Sequence, residues 1–172
     1  METMNAEIFT LTYGSMVRQL LVDTEDVEEV NKQLDKMGYN IGVRLIDEFL
    51  AKSKINKCVD FRDSAEKLAK VGFKMFLNTT ASVTSWNAEG TECSLILEDN
   101  PMTDFVELPE GCSRKLRYCN LLCGVIRGAL RMVNLNVSCN FVQDVLWDDP
   151  VSELRLKLIS TGAENYPFKD DD

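Results

Sequence analysis

The sequence contains no histidine in its 172 residues. Imidazole is the usual general base near neutral pH and a common metal ligand, so Ser-His-Asp and Cys-His catalysis and all histidine metal sites are excluded. Basic surface is also scarce. With 28 acidic against 19 basic residues the net charge is −9, which argues against a nucleic-acid binder that works by neutralising phosphates. No apolar run reaches the ~18 residues of a membrane-spanning helix. Residues 1–12 carry Glu2 and Glu7 and lack the basic start and apolar stretch of a signal peptide. No Gly-rich phosphate loop of Walker or Rossmann type is present. The expectation is a cytoplasmic chain that holds neither nucleotide nor metal.

The six cysteines, Cys58, Cys93, Cys112, Cys119, Cys123 and Cys139, form no compact framework, and free thiols are expected. Cys119 and Cys123 stand one helical turn apart, but no other pair with zinc-like spacing completes a ligand set. They read as small buried apolar residues. A composition of 45% hydrophobic and 27% charged residues over this length suits one folded domain with a real core. Residues 1–160 are assigned to it, and 161–172 to an acidic, mobile tail.

Apolar residues recur at helical spacing over 6–23, 26–52 and 60–77. Gly38 and Gly42 predict a bend or division in the second of these. The pattern then changes to alternation over 82–86 and 92–97, around the turn sequence Asn87-Ala88-Glu89-Gly90. Two more strands are expected over 136–145 and 153–159. Between the two strand pairs lies 118–133, apolar or small around nearly its whole circumference, with Gly124 and Gly128 one turn apart on one face. That spacing admits a second backbone at close range, within the chain or across a subunit interface. The acidic group Glu25, Asp26, Glu28 and Glu29 reads as a solvated first helical turn favoured by the macrodipole. Asp104 and Glu107 are rejected as an acid/base pair, because they flank a strand-like apolar run. The fold class is α+β, a single domain with helices packed beside a four-stranded antiparallel sheet.

One residue stands out chemically. Cys58 follows Lys54 and Lys57 and precedes Arg62, and nearby positive charge favours the reactive thiolate, although Asp60 opposes it. A reactive or S-acylated cysteine is one reading. A plain thiol at the start of a helix is the other, and the local residues favour it.

Collinear segments then resemble a known family. They are Phe9-Thr10-Leu11-Thr12-Tyr13-Gly14, Asp35-Lys36-Met37-Gly38-Tyr39-Asn40-Ile41-Gly42-Val43-Arg44-Leu45-Ile46, Phe73-Lys74-Met75, Ser94-Leu95-Ile96-Leu97-Glu98, Asp104-Phe105-Val106-Glu107-Leu108-Pro109, the run 120–130, and Phe141-Val142-Gln143-Asp144. The sequence resembles the Bet-three-like small acylated core subunits of TRAPP, the transport protein particle, over about residues 9–158. The resemblance implies an α+β fold with a helical dimer face. It also implies a palmitoyl chain on Cys58, threaded into an internal apolar channel that a small residue keeps open. The matching position is Gly72, where the family usually has alanine.

It further implies a scaffold role in a vesicle-tethering complex that exchanges guanine nucleotide on a Rab GTPase in ER-to-Golgi transport, with no catalysis by this subunit itself. The implied partners are paralogous small subunits, or a second copy when the chain is alone, and a Rab-family GTPase reached through the assembled complex. Membrane association would be peripheral, at the cis-Golgi and ER-derived vesicles, with no metal, nucleotide or nucleic acid bound. The alternative is a stand-alone lipid carrier with exchangeable ligand. An enzyme using Cys58 as nucleophile is a distant third, for want of a histidine base.

Overall fold

A computed structural model describes residues 5–53, 58 and 60–162. Of the expected tail, Thr161 instead ends the last strand and Gly162 follows it, while residues 163–172, along with 54–57 and 59, lie outside the described residues. Helix α1 (Ala6–Thr24) starts where the Asn5 side chain accepts the Glu7 amide, and ends at Glu25 in the left-handed region. Helix α2 (Val27–Ser53) begins with Glu28 and Glu29 in its first turn, where Asp26 accepts the Glu28 amide. It runs unbroken, so Gly38 and Gly42 do not divide it. They are instead contact points, described below.

Helix α3 (Phe61–Lys67) is capped by Asp60, whose carboxylate accepts the Asp63 amide at 2.8 Å. It passes directly into a π-helical turn, Leu68–Gly72, and then into α4 (Phe73–Leu77), which stops at Asn78 in the left-handed region. The expected third helix is therefore one continuous rod with a widened turn in its middle. Within that turn the Ala69 carbonyl accepts the Ala81 amide, tying the helix to the segment that enters the sheet.

Strands β1 (Ser82–Thr84) and β2 (Glu92–Leu97) form the first antiparallel pair. Strand β1 stops two residues earlier than alternation suggests, because Ser85 takes a positive φ. In the connecting turn the Asn87 side chain accepts the amides of Thr91 and Glu92, with Gly90 at φ 67°. Helix α5 (Asn120–Met132) precedes β3 (Leu135–Gln143) and β4 (Ser152–Thr161). The sheet order is β1-β2-β4-β3, with antiparallel neighbours throughout. Cys93, Leu95, Leu97, Leu154 and Leu156 are fully buried in the core, while Ser94, Glu153 and Arg155 alternate to the other face. The segment 104–109 is a loop rather than a strand, and Phe105 within it is exposed at a positive φ.

Helices α2 and α5 touch main chain to main chain. A Cβ added at Gly38 or Gly42 would sit 2.0 or 2.1 Å from the Leu121 or Val125 carbonyl oxygen. Added at Gly124 or Gly128, it would sit 2.0 or 2.2 Å from the carbonyl oxygens of Asp35 or Tyr39. All four glycines thus serve one crossing inside the chain, and the interface reading of Gly124 and Gly128 gives way to intramolecular packing. Asn31 locks the same pair of elements. Its side chain donates to the Lys115 carbonyl and accepts the Arg117 amide, and its own carbonyl accepts from Asn120.

Candidate functional site

Beside this crossing the helices line a partly open apolar cavity of about 310 Å³. Leu45, Phe49 and Leu50 of α2 form one wall, and Val125, Ala129 and Val133 of α5 another. The third comes from Leu68, Gly72 and Phe76 on the rod that contains the π turn, while Phe9 and Met102 contribute from α1 and a short 3₁₀ turn. Among its lining residues only Cys58, Ser64 and Lys67 bring polar side-chain atoms. Such a space favours a long apolar ligand with one polar end.

The two residues singled out in the sequence come together here. Cys58 and Gly72 line the same cavity. At Gly72 a Cβ would meet the Leu68 Cδ1 at 3.3 Å and the Phe49 Cε2 at 3.9 Å. An alanine would fit if Leu68 yielded by a few tenths of an ångström, whereas a larger side chain would project into the space.

Cys58 is half-buried, unlike Cys93, Cys119, Cys123 and Cys139, which lie in the core. Burial pushes the Cys93 thiol up to about 11 and raises Cys119 well above its usual range. For Cys123 the first cause is the hydrogen bond with Cys139, followed by burial. These three thiols stay protonated near neutral pH and serve as packing, as the sequence suggested for Cys119 and Cys123. Ser64 is already committed, its hydroxyl donating to the Asp60 carbonyl at 2.8 Å. The Lys67 ammonium donates to the Asp63 carboxylate at 2.6 Å, and this hydrogen bond is the main reason its pKa is raised.

Sequence reasoning missed Lys67 as a cavity residue and missed the π turn. Helical periodicity puts Lys67 beside Ser64 on one face, but gives no sign that this face borders a void. Among the described residues no group of three or more Cys, Asp or Glu could hold a metal ion. A second cleft, between α2, α5 and β3, is polar and is bridged by the Asp35–Arg127 ion pair at 2.6 Å, which makes it unsuited to an apolar ligand.

Residues 9–157 match the family described as transport protein particle (TRAPP) component. The chain belongs to the TRAPP component family. Among its TRAPP relatives, trafficking protein particle complex subunit 3 of Dictyostelium discoideum is 56% identical over 166 residues, covering 96% of this chain and 89% of that protein. The transport protein particle subunit bet3 of Schizosaccharomyces pombe is 49% identical, with 99% and 92% covered. A crystal structure of trafficking protein particle complex subunit 3 from Naegleria fowleri superposes with a TM-score of 0.91 at 49% identity, covering 95% of this chain and all of that one. That TRAPP protein is described as covalently bound to palmitic acid.

Proposed function

We propose that this chain is a non-catalytic core scaffold subunit of a TRAPP-like complex, and that it carries a palmitoyl chain in thioester linkage on Cys58 inside the apolar cavity. The observation that carries the reading is the meeting of Cys58 and Gly72 in one apolar space bounded by α2, α5 and the α3–α4 rod. The palmitate-bound Naegleria relative supports it. So does the energetics, since burying a sixteen-carbon chain is worth on the order of 10 kcal/mol before entropy costs. A lipid held inside the fold leaves none of itself for a bilayer. Among the described residues no helix is long and apolar enough to cross a membrane. Peripheral attachment at the cis-Golgi and ER-derived vesicles then belongs to the assembled complex.

In that complex the chain pairs with paralogous small subunits, or with a second copy when alone. It contributes surface to a site that exchanges nucleotide on a Rab-family GTPase in ER-to-Golgi transport. The test is an intact mass of protein from a eukaryotic host before and after neutral hydroxylamine, with Cys58→Ser as control. One palmitoyl group that hydroxylamine releases and the variant lacks supports the reading. Lipid that leaves on native extraction points to an exchangeable carrier, and an unmodified Cys58 sinks the acylation claim.

A further inference from the structure

Strand β3 closes one end of the sheet, and its outer edge is open. Among the described residues, its main chain hydrogen-bonds to β4 and to nothing on the other side. The strand at the opposite end, β1, has only three residues, whereas β3 has nine. Proteins usually blunt such an edge with a charge, a proline or a cover, because a row of bare N–H and C=O groups invites another strand. From Leu135 to Gln143 there is no Lys, Arg, Asp, Glu or Pro. The register with β4 shifts at Asn136/Val137 and at Phe141/Gln143, which leaves 137–141 regular between the two.

The polar cleft, about 340 Å³ in volume, runs along this edge, and five successive residues from Asn136 to Asn140 line it. Successive strand residues point to opposite faces, so one cleft reaches all five only where it borders the margin of the strand. Facing them are α2, α5 and the turn before α5. Asp35 and Arg127 are paired there at 2.6 Å, and Arg127 also lies over the Tyr39 ring. Lys32 stands on the rim, 3.7 Å from Glu29. Arg117 is different. It is half-buried, its amide donates to the Asn31 side chain at 2.8 Å, and among the described residues its guanidinium forms no ion pair or hydrogen bond. Glu28, on the same wall, contacts Asn31 at 3.4 Å rather than Arg117. The Arg117 guanidinium has thus given up part of its hydration without gaining a carboxylate.

We propose that the β3 edge is a peptide-docking site, where an extended segment of a partner protein adds as a fifth strand and places an Asp or Glu side chain in the cleft against Arg117. Main-chain hydrogen bonds to β3 supply the affinity, and the acidic side chain supplies the selectivity. Alternate residues of the incoming segment face the helices, so the positions two before and two after the acidic one meet the same polar cleft. A second copy of this chain fits less well. Its own β3 carries no carboxylate to offer Arg117. The inference stands apart from the acylation of Cys58, which lines a different cavity.

The test uses a labelled peptide as long as β3, alternating Thr and Val with a central Asp among the Thr positions, and its Asn counterpart. Binding to the full chain is read by fluorescence anisotropy. The Asp peptide is expected to bind about tenfold tighter than the Asn peptide, the worth of one charge-assisted hydrogen bond. Arg117→Met should remove that ratio and leave the affinity of the Asn peptide unchanged, which also shows that the variant is folded. Strand pairing is read separately. N-methylation of alternate residues blocks one edge of the peptide at a time, so one methylated set should lose binding and the other should keep it. Equal binding by both sets, equal binding of the Asp and Asn peptides to wild type, or no binding of either overturns the proposal. Amide exchange of the unliganded full chain decides between the remaining occupants, and fast exchange of alternate β3 amides is expected. Protection that grows with protein concentration would mean that a second copy covers the edge. Protection independent of concentration would mean that the chain covers it itself, and either result overturns the partner segment.

Discussion

At the scale of single residues, the outer face of the sheet offers a clear electrostatic prediction. Glu153 accepts from the Ser94 hydroxyl at 2.6 Å and from the Arg155 guanidinium at 3.0 Å, and these contacts lower its pKa, the Ser94 hydrogen bond most. The unfolded chain holds this proton more tightly than the folded one, so the stabilisation is complete above the ordinary glutamate value of about 4.3 and is lost as pH falls through the lower folded value. Glu153→Gln should cost about 1 kcal/mol at neutral pH. The cost should shrink as urea unfolding is repeated at successively lower pH below about 4.3. A cost that does not change over that range would mean the carboxylate charge is irrelevant. At this scale the sequence was only partly legible. Cys58 showed its basic neighbours, yet its place on a cavity wall came from the resemblance and the fold. Gly72 had no local signal at all, since a lone glycine in a helical pattern looks the same whether it faces solvent, core or void.

At the scale of elements, the α2–α5 crossing is the feature most sensitive to substitution. A Cβ on Gly124 would fall 2.0 Å from the Asp35 carbonyl oxygen and 2.7 Å from the Tyr39 nitrogen, both main chain, and neither can swing aside as a side chain can. Gly124→Ala is expected to destabilise the fold by about 3 kcal/mol, at the upper end for overpacking, despite alanine's better helix propensity. Thermal unfolding at or above the wild-type midpoint would refute this. Helix boundaries in the sequence were good to a residue or two: 26–52 was expected and α2 spans Val27–Ser53. What the glycines do was misread for a physical reason. Gly38 and Gly42 looked like local breaks because backbone freedom is a local property, whereas here they answer to α5, about eighty residues later in the chain. The π turn left no trace either, because one extra residue per turn does not alter composition.

At the scale of the whole molecule, an apolar cavity in a folded protein is a cost that an occupant can remove. Gly72→Leu should separate filling from linkage. Its side chain points into the space, where the nearest side-chain atom, Leu68 Cδ1, belongs to a flexible group. The expected outcome is a variant whose Cys58 still alkylates but no longer takes a palmitoyl group, with an unacylated melting temperature at or above that of unacylated wild type. Differential scanning calorimetry with intact mass on the same samples decides it. Full palmitoylation of the variant would show that the acyl chain lies elsewhere. The cavity itself was not legible in the sequence. Leu45, Phe49, Val125 and Val133 have the spacing of ordinary core residues, and periodicity does not reveal whether such residues meet each other or a gap.

The glycine crossing has a mechanical consequence for whatever enters that gap. Where two helices touch through carbonyl oxygens and Cα atoms, their separation is set by hard main-chain contact rather than by side chains that can change rotamer. The α2–α5 side of the cavity is therefore stiff. The opposite side, where the helical ladder is already widened between Leu68 and Gly72, is the more compliant wall. Guests of different length or branching should therefore be accommodated there, with strain from a poor fit expected first along the rod that follows Cys58, rather than at the crossing that holds the fold together.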